Sequence, residues 1–82
     1  MSNKVLVVCR RRHEAIEELT GEGYDVKRMF LVDRAPLLPA DGVTFAGIYV
    51  MPNSPAEVIR IARDRFPGPD VARDDLPQLA DA

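Results

Sequence analysis

Cys9 is followed at once by Arg10, Arg11, Arg12 and His13, which sets a thiol, three guanidinium groups and an imidazole at consecutive positions. Two chemistries could follow from that order. Adjacent cations stabilise a thiolate, which would make Cys9 a nucleophile. Clustered guanidinium groups also form forked hydrogen bonds to phosphates and carboxylates, which would make an anion site. The nucleophile reading lacks its supporting pattern. A cysteine phosphatase needs an arginine where Ala15 stands here, with a phosphate loop between, and no glycine shapes such a loop. No second cysteine makes a C-x-x-C pair. A single cysteine ending an apolar run reads as a small buried hydrophobe. His13 is the one histidine and has no second ligand at metal-site spacing, so no metal is expected. Its position suits the start of a helix.

The elements that would position these groups are short. The chain has 82 residues, which allows one domain and one modest core. Hydrophobic residues make up 46% and charged residues 29%, a globular rather than a disordered balance. The net charge of −2 gives no global attraction to nucleic acid or anionic lipid, so any basic function must be local. The apolar run at residues 5–8 is too short for a signal peptide or a membrane span, and arginines follow it directly. A cytoplasmic protein is the expectation.

Residues 4–10 read as a first strand, and their unbroken apolar character implies cover on both faces. Residues 13–20 follow as a helix with Ala15, Ile16 and Leu19 on its apolar stripe, ended by Gly21 and Gly23. Residues 24–33 read as an edge strand. The link at 34–42 holds two prolines and cannot be a regular helix, so Leu37 and Leu38 are expected to cross a sheet face. Residues 43–51, VTFAGIYVM, give the strongest strand signal. A second helix then opens with Ser54 as expected N-cap, Pro55 at the first helical position and Glu57 closing a capping box. The domain is expected to span 1–67. Residues 68–82 carry four aspartates against one arginine and read as a flexible acidic tail, with Val71, Leu76 and Leu79 as docking points.

The order β-α-β-β-α fits an α/β fold: a three-stranded sheet of order 2-1-3, parallel, with one helix on each face. The alternative is a ferredoxin-like α+β unit with strands two and three antiparallel, which the nine-residue link would suit. In the parallel form, ligands are expected outside the carboxyl ends of the strands, where strand order reverses. That point gathers Arg10, Arg11, Arg12 and His13 with Arg34 and Asn53, beside the unpaired amides of the second helix. These residues are the candidate site for an anion or a partner's carboxylates. G-x-G-x-x-G and G-x-x-x-x-G-K-[ST] are both absent, and no aromatic platform interleaves with the arginines. No cofactor is expected, and nucleic acid is not the expected partner.

The stretch EAIEELTGEGYDVKRM, residues 14–29, resembles the first helix and second strand of response-regulator receiver domains. The resemblance covers about a third of the chain and implies a flavodoxin-like α/β unit, here truncated. It does not carry a phosphoacceptor. Receivers place acidic residues after strand one, where this chain has Cys9 and Arg10, and an aspartate near the end of strand three, where it has Val50 and Met51. The short length and compact plan are also similar in style to accessory proteins of phages that infect GC-rich hosts.

No nucleophile–base pair or carboxylate dyad can be assembled from the strand-end residues, so the chain reads as non-enzymatic. The expected function is protein–protein interaction, with a host protein or as a homodimer. Strand three, with Phe45, Ile48 and Tyr49, is the expected interface because an apolar edge strand invites pairing. The second expectation is an anion- or nucleotide-binding regulatory domain built on the arginine cluster.

Overall fold

The computed structural model describes residues 4–40 and 42–79. Strands β1 (Val5–Val8), β2 (Met29–Val32) and β3 (Gly47–Val50) are joined by helix α1 (Arg12–Gly21) between the first two, and helix α2 (Ala56–Arg65) follows the third. All pairing is parallel, in the order β2-β1-β3, with Val8 beside Val32 on one side and Val50 on the other. The antiparallel, ferredoxin-like alternative is therefore not the one formed. The crossover from β2 to β3 holds no α-helix among the described residues, only one 3-10 turn at Ala35–Leu37. Its Leu38 is buried on the α2 side of the sheet, so the apolar pair in the link does cross a face, while Leu37 stays exposed.

β1 shows why VLVV does not alternate. Val5 and Val7 pack with Ala15 and Leu19 of α1, whereas Leu6 and Val8 pack with Val58 and Ala62 of α2. Each face of the sheet thus carries one helix, and a strand buried on both faces is apolar throughout. Neither ten-residue helix is wide enough to cover its face alone. On the α2 side, the cover is completed by Phe45, whose ring meets Phe30 and Phe66 edge-on at centroid distances of 5.8 and 5.2 Å.

Three local expectations are corrected. The second strand is not 24–33: Val26–Arg28 form a 3-10 turn, because the Asp25 carboxylate accepts from the Lys27 N–H and diverts the backbone from the ladder. The third strand is shorter than 43–51, since residues 43–46 pack as a loop around Phe45. Ser54 does not cap α2. Its hydroxyl donates into the strand end instead, 2.6 Å from the Met51 carbonyl and 3.0 Å from that of Val8, and Pro55 stands at the N-cap with no side-chain bond to the helix.

The C-terminal segment read as a flexible tail has defined contacts over residues 68–79; residues 80–82 lie outside the described residues. Ile48 donates to Pro69 at 2.9 Å, and Val71 donates back to Ile48 at 2.8 Å. The segment then crosses the α1 face, buries Leu76, and pairs Gln78 antiparallel with Tyr24. Of the three docking points, Val71 packs on the core, Leu76 is buried and Leu79 stays exposed. Arg73 fastens the crossing. Its guanidinium reaches Glu18 at 2.7 Å, both Glu22 oxygens, and the Tyr49 hydroxyl at 3.2 Å. These carboxylates hold Arg73 well above the ordinary arginine range, Glu18 first and Glu22 next.

Gly47 makes the approach possible. A Cβ there would lie 2.9 Å from the Pro69 carbonyl oxygen and collide with the Val71 side chain. Gly47→Ala is therefore expected to lift residues 69–71 off β3 and to destabilise the fold by about 1–3 kcal/mol, an overpacking cost. Urea unfolding measures the loss, and faster amide exchange at Ile48 and Val71 locates it. Wild-type exchange at those two amides would show that the close approach does not hold the segment.

Candidate functional site

The strand ends collect Cys9 to His13, Asp33 with Arg34, and Met51 to Ser54 at one end of the sheet, as parallel register requires. The arginines, however, do not converge there. Arg11 lies beside Glu14 at 3.8 Å, with both side chains more than half exposed. Arg12 turns the other way: its Nε donates to the Leu31 carbonyl at 3.2 Å. Val32 points its carbonyl at β1, where Cys9 N–H donates to it, so by strand alternation Leu31 faces the outer side of β2. The guanidinium of Arg12 is thus on the far side of β2 from β3 and the start of α2. Arg10 and His13 are exposed, with no bond or ion pair among the described residues. Arg34 lies 3.5 Å from Asp33.

Asn53 is exposed in the turn between β3 and α2 with φ = 65°. That backbone region favours asparagine over most residues, which accounts for its type without a ligand. The anion site read from the sequence is therefore divided: Arg12 and Arg34 attend β2 and Asp33, Arg11 its own helix, and Arg10, His13 and Asn53 face solvent.

What the strand ends do build is a cap. The first orphan amide of α1, that of Arg12, donates to Asp33 Oδ2 at 3.0 Å. A carboxylate from the neighbouring strand end thereby satisfies a helix terminus that has no side-chain cap of its own. The Arg12 amide is the main cause holding the Asp33 carboxyl below its ordinary value; burial opposes it, and Arg34 assists. Under this cap, Cys9 is buried and its thiol donates to the Val32 carbonyl at 3.4 Å. Burial, and then the Asp33 charge, push its pKa up to about 11, with Arg12 opposing. Adjacent arginines thus leave Cys9 a thiol, because burial of the sulfur, assisted by the Asp33 charge, outweighs the opposing effect of Arg12.

The interface expected on strand three is also corrected. Ile48 and Tyr49 are buried, Phe45 is held in its ring cluster, and both outward backbone groups of Ile48 are already bonded to residues 69 and 71. The opposite edge is different. β2 pairs with β1 alone, and among the described residues no segment pairs with its outer side. A cleft of about 330 Å³ follows this edge, lined by Lys4, Arg12, Met29, Phe30, Leu31 and Leu37. No group of three metal-ligating side chains occurs among the described residues, and no helix of the structure is long and apolar enough to cross a membrane.

Sequence reasoning missed the Asp33 cap and the Arg73 clamp. One signal was available for the clamp: Glu18 and Glu22 stand one helical turn apart, a like-charge pair that calls for a cation between them. Nothing local pointed to Asp33, whose partner is 21 residues away. No family model, curated protein or solved structure matches the chain.

Two outcomes are expected. Native Cys9 should resist iodoacetamide at neutral pH and react only after unfolding, as followed by mass spectrometry; rapid labelling of the folded protein would contradict a buried thiol. Asp33→Ala should lower stability by about 1 kcal/mol at pH 7, the usual value of a helix cap. A depressed carboxyl pKa stabilises the fold above the unfolded value near 3.9 and loses that contribution as pH falls through the lower, folded value. The gap between wild type and Asp33→Asn, which keeps the acceptor and loses the charge, should therefore close in acid. Urea titrations at neutral and acid pH measure it.

Proposed function

We propose that this chain is a non-enzymatic interaction module that binds another protein, in the manner of a small phage accessory protein acting on a host factor. The observation that supports the reading is the unequal treatment of the two sheet edges. Residues 69 and 71 bond both outward backbone groups of Ile48 on β3, while among the described residues no segment pairs with the outer side of β2, which lies beside an apolar and basic cleft. A sheet edge is a template for strand addition unless it is covered or guarded. The edge used is that of β2 rather than the expected strand three. The strand-end chemistry argues against an enzyme: Cys9 is a buried, protonated thiol, and the Ser54 hydroxyl is occupied by main-chain carbonyls.

A second reading, an anion-binding regulatory domain, keeps one specific support. The first turn of α2 has no side-chain cap, so its amides face the end of the sheet where Arg10 and Asn53 are exposed. A thermal-shift titration with inorganic phosphate tests that reading, through loss of any shift in Arg10→Ala.

The first reading is tested by pull-down from lysate of the native source, with the full chain and with Lys27→Glu/Arg28→Glu as baits. Both side chains are exposed near the open edge, so the double variant should fold normally by circular dichroism. A discrete partner captured by the wild type and lost with the variant is expected. Capture that is absent, or equal for the two baits, counts against the module.

A further inference from the structure

We propose that the segment docking on β2 is an extended acidic peptide, added as a fourth strand, rather than a second copy of this chain. The inference rests on the interaction-module reading and supplies the chemistry of its partner.

The backbone sets what can bind. Residues 29 and 31 face outward by alternation. The Met29 amide is already spent on the Val26 carbonyl, which leaves the Met29 carbonyl and the Leu31 amide as the acceptor and donor for a new strand. Among the described residues, the Leu31 carbonyl is engaged by the side chain of Arg12, a mobile kind of partner that an incoming amide can replace. A four-residue strand offers few such bonds, so side chains must supply the rest.

The cleft supplies them in two kinds. Phe30 and Leu37 give apolar contact, Leu37 being one of the few large exposed hydrophobic residues. A second cleft shares Lys4 and adds Lys27, Arg28 and Pro77. Among the described residues, the charged side chains that line the two are Lys4, Arg12, Lys27 and Arg28, with no acidic one. On a chain of net charge −2, that is a local reversal of sign. The nearby carboxylates are committed: Asp25 to the Lys27 amide and to Arg28, Asp33 to the Arg12 amide and to Arg34.

Charge then chooses between occupants. In a two-fold antiparallel pairing of two β2 edges, Arg12 at one end of the strand would meet Arg28 of the other copy, and like charges would face each other at both ends. An acidic segment instead meets these cations, with Asp25 and Asp33 already engaged. Its apolar residues would lie over Phe30 and Leu37, its carboxylates beside Lys27 and Arg28 at one end. At the other end, Arg12 would exchange the Leu31 carbonyl for a carboxylate. Arg12 therefore guards the edge in the free protein and grips the ligand in the complex.

The probe is a short fluorescein-labelled peptide alternating valine with glutamate, titrated by anisotropy against the full chain, with a valine–lysine peptide as control. Binding by the glutamate peptide is expected, at least about tenfold tighter than the control and weakening as salt rises. Amide exchange should show Leu31 unprotected in the free protein and protected in the complex. Lys27→Glu/Arg28→Glu should abolish the preference for the acidic probe, and Leu31→Pro, which removes the outward donor, should abolish binding in a chain still folded by circular dichroism. No binding of the glutamate peptide, equal binding of both peptides, or protection elsewhere than β2 overturns the proposal. So does a dimer by light scattering with Leu31 protected before peptide is added. If the probe fails while the pull-down still finds a charge-dependent partner, the acidic-strand inference falls and the interaction module stands.

Discussion

The pairing of β1 on both sides and its burial on both faces is the constraint from which the rest of this fold follows. Val5–Val8 bonds to β2 and β3 along its two edges, and it meets α1 and α2 through alternate side chains. A strand so enclosed has no contact with water, and the elements around it must shield two faces with only two ten-residue helices. A chain of this size has little apolar surface to spare, so incomplete cover on either face would leave the fold marginal. The crossover link and the C-terminal segment therefore act as part of the core. Leu38 and Phe45 complete one face, while Leu76 completes the other, with Arg73 tying its segment to α1.

Covering the faces decides the fate of the edges. The C-terminal segment must run from the end of α2 to the α1 side, and the shortest way lies past β3. In passing, it bonds to both outward backbone groups of Ile48 and so covers the first part of that edge. Nothing in the described residues makes the same passage beside β2, so one sheet ends with a partly covered edge and an open one. The open edge carries Arg12 across the Leu31 carbonyl and basic residues at its lower end, the kind of charge by which natural sheets resist pairing with themselves. The same charges favour a partner of opposite sign. Avoidance of self-association and selection of a partner can thus rest on one set of side chains.

The arginine triplet gains its meaning from this geometry. Consecutive residues at the start of a helix point in different directions, and each arginine finds a different environment: solvent for Arg10, Glu14 for Arg11, the β2 edge for Arg12. Asp33 organises the corner by capping α1, which fixes the helix against the end of β2 and keeps negative charge above Cys9. A sequence that looks like a reactive cysteine among cations therefore folds into a buried thiol beneath a helix cap.

By itself the sequence determined the two-sided strand and the two helices, and favoured the parallel order over the antiparallel alternative, because unbroken apolar runs and helical stripes are local patterns that burial imposes directly. VLVV could only be a strand shielded on both faces, and Ala15 with Leu19 could only point one way from their helix. Tertiary structure alone decided the cover of β3 at Ile48 and the division of the arginines, whereas the length of β2 was set locally by the Asp25 side chain on the Lys27 amide. The acidic segment found its one arginine two carboxylates, Glu18 on α1 and Glu22 just beyond it, and Arg12 took a carbonyl 19 residues away. Those bonds join groups distant along the chain, and no local periodicity encodes which of several equivalent charges will be brought together once the core is packed.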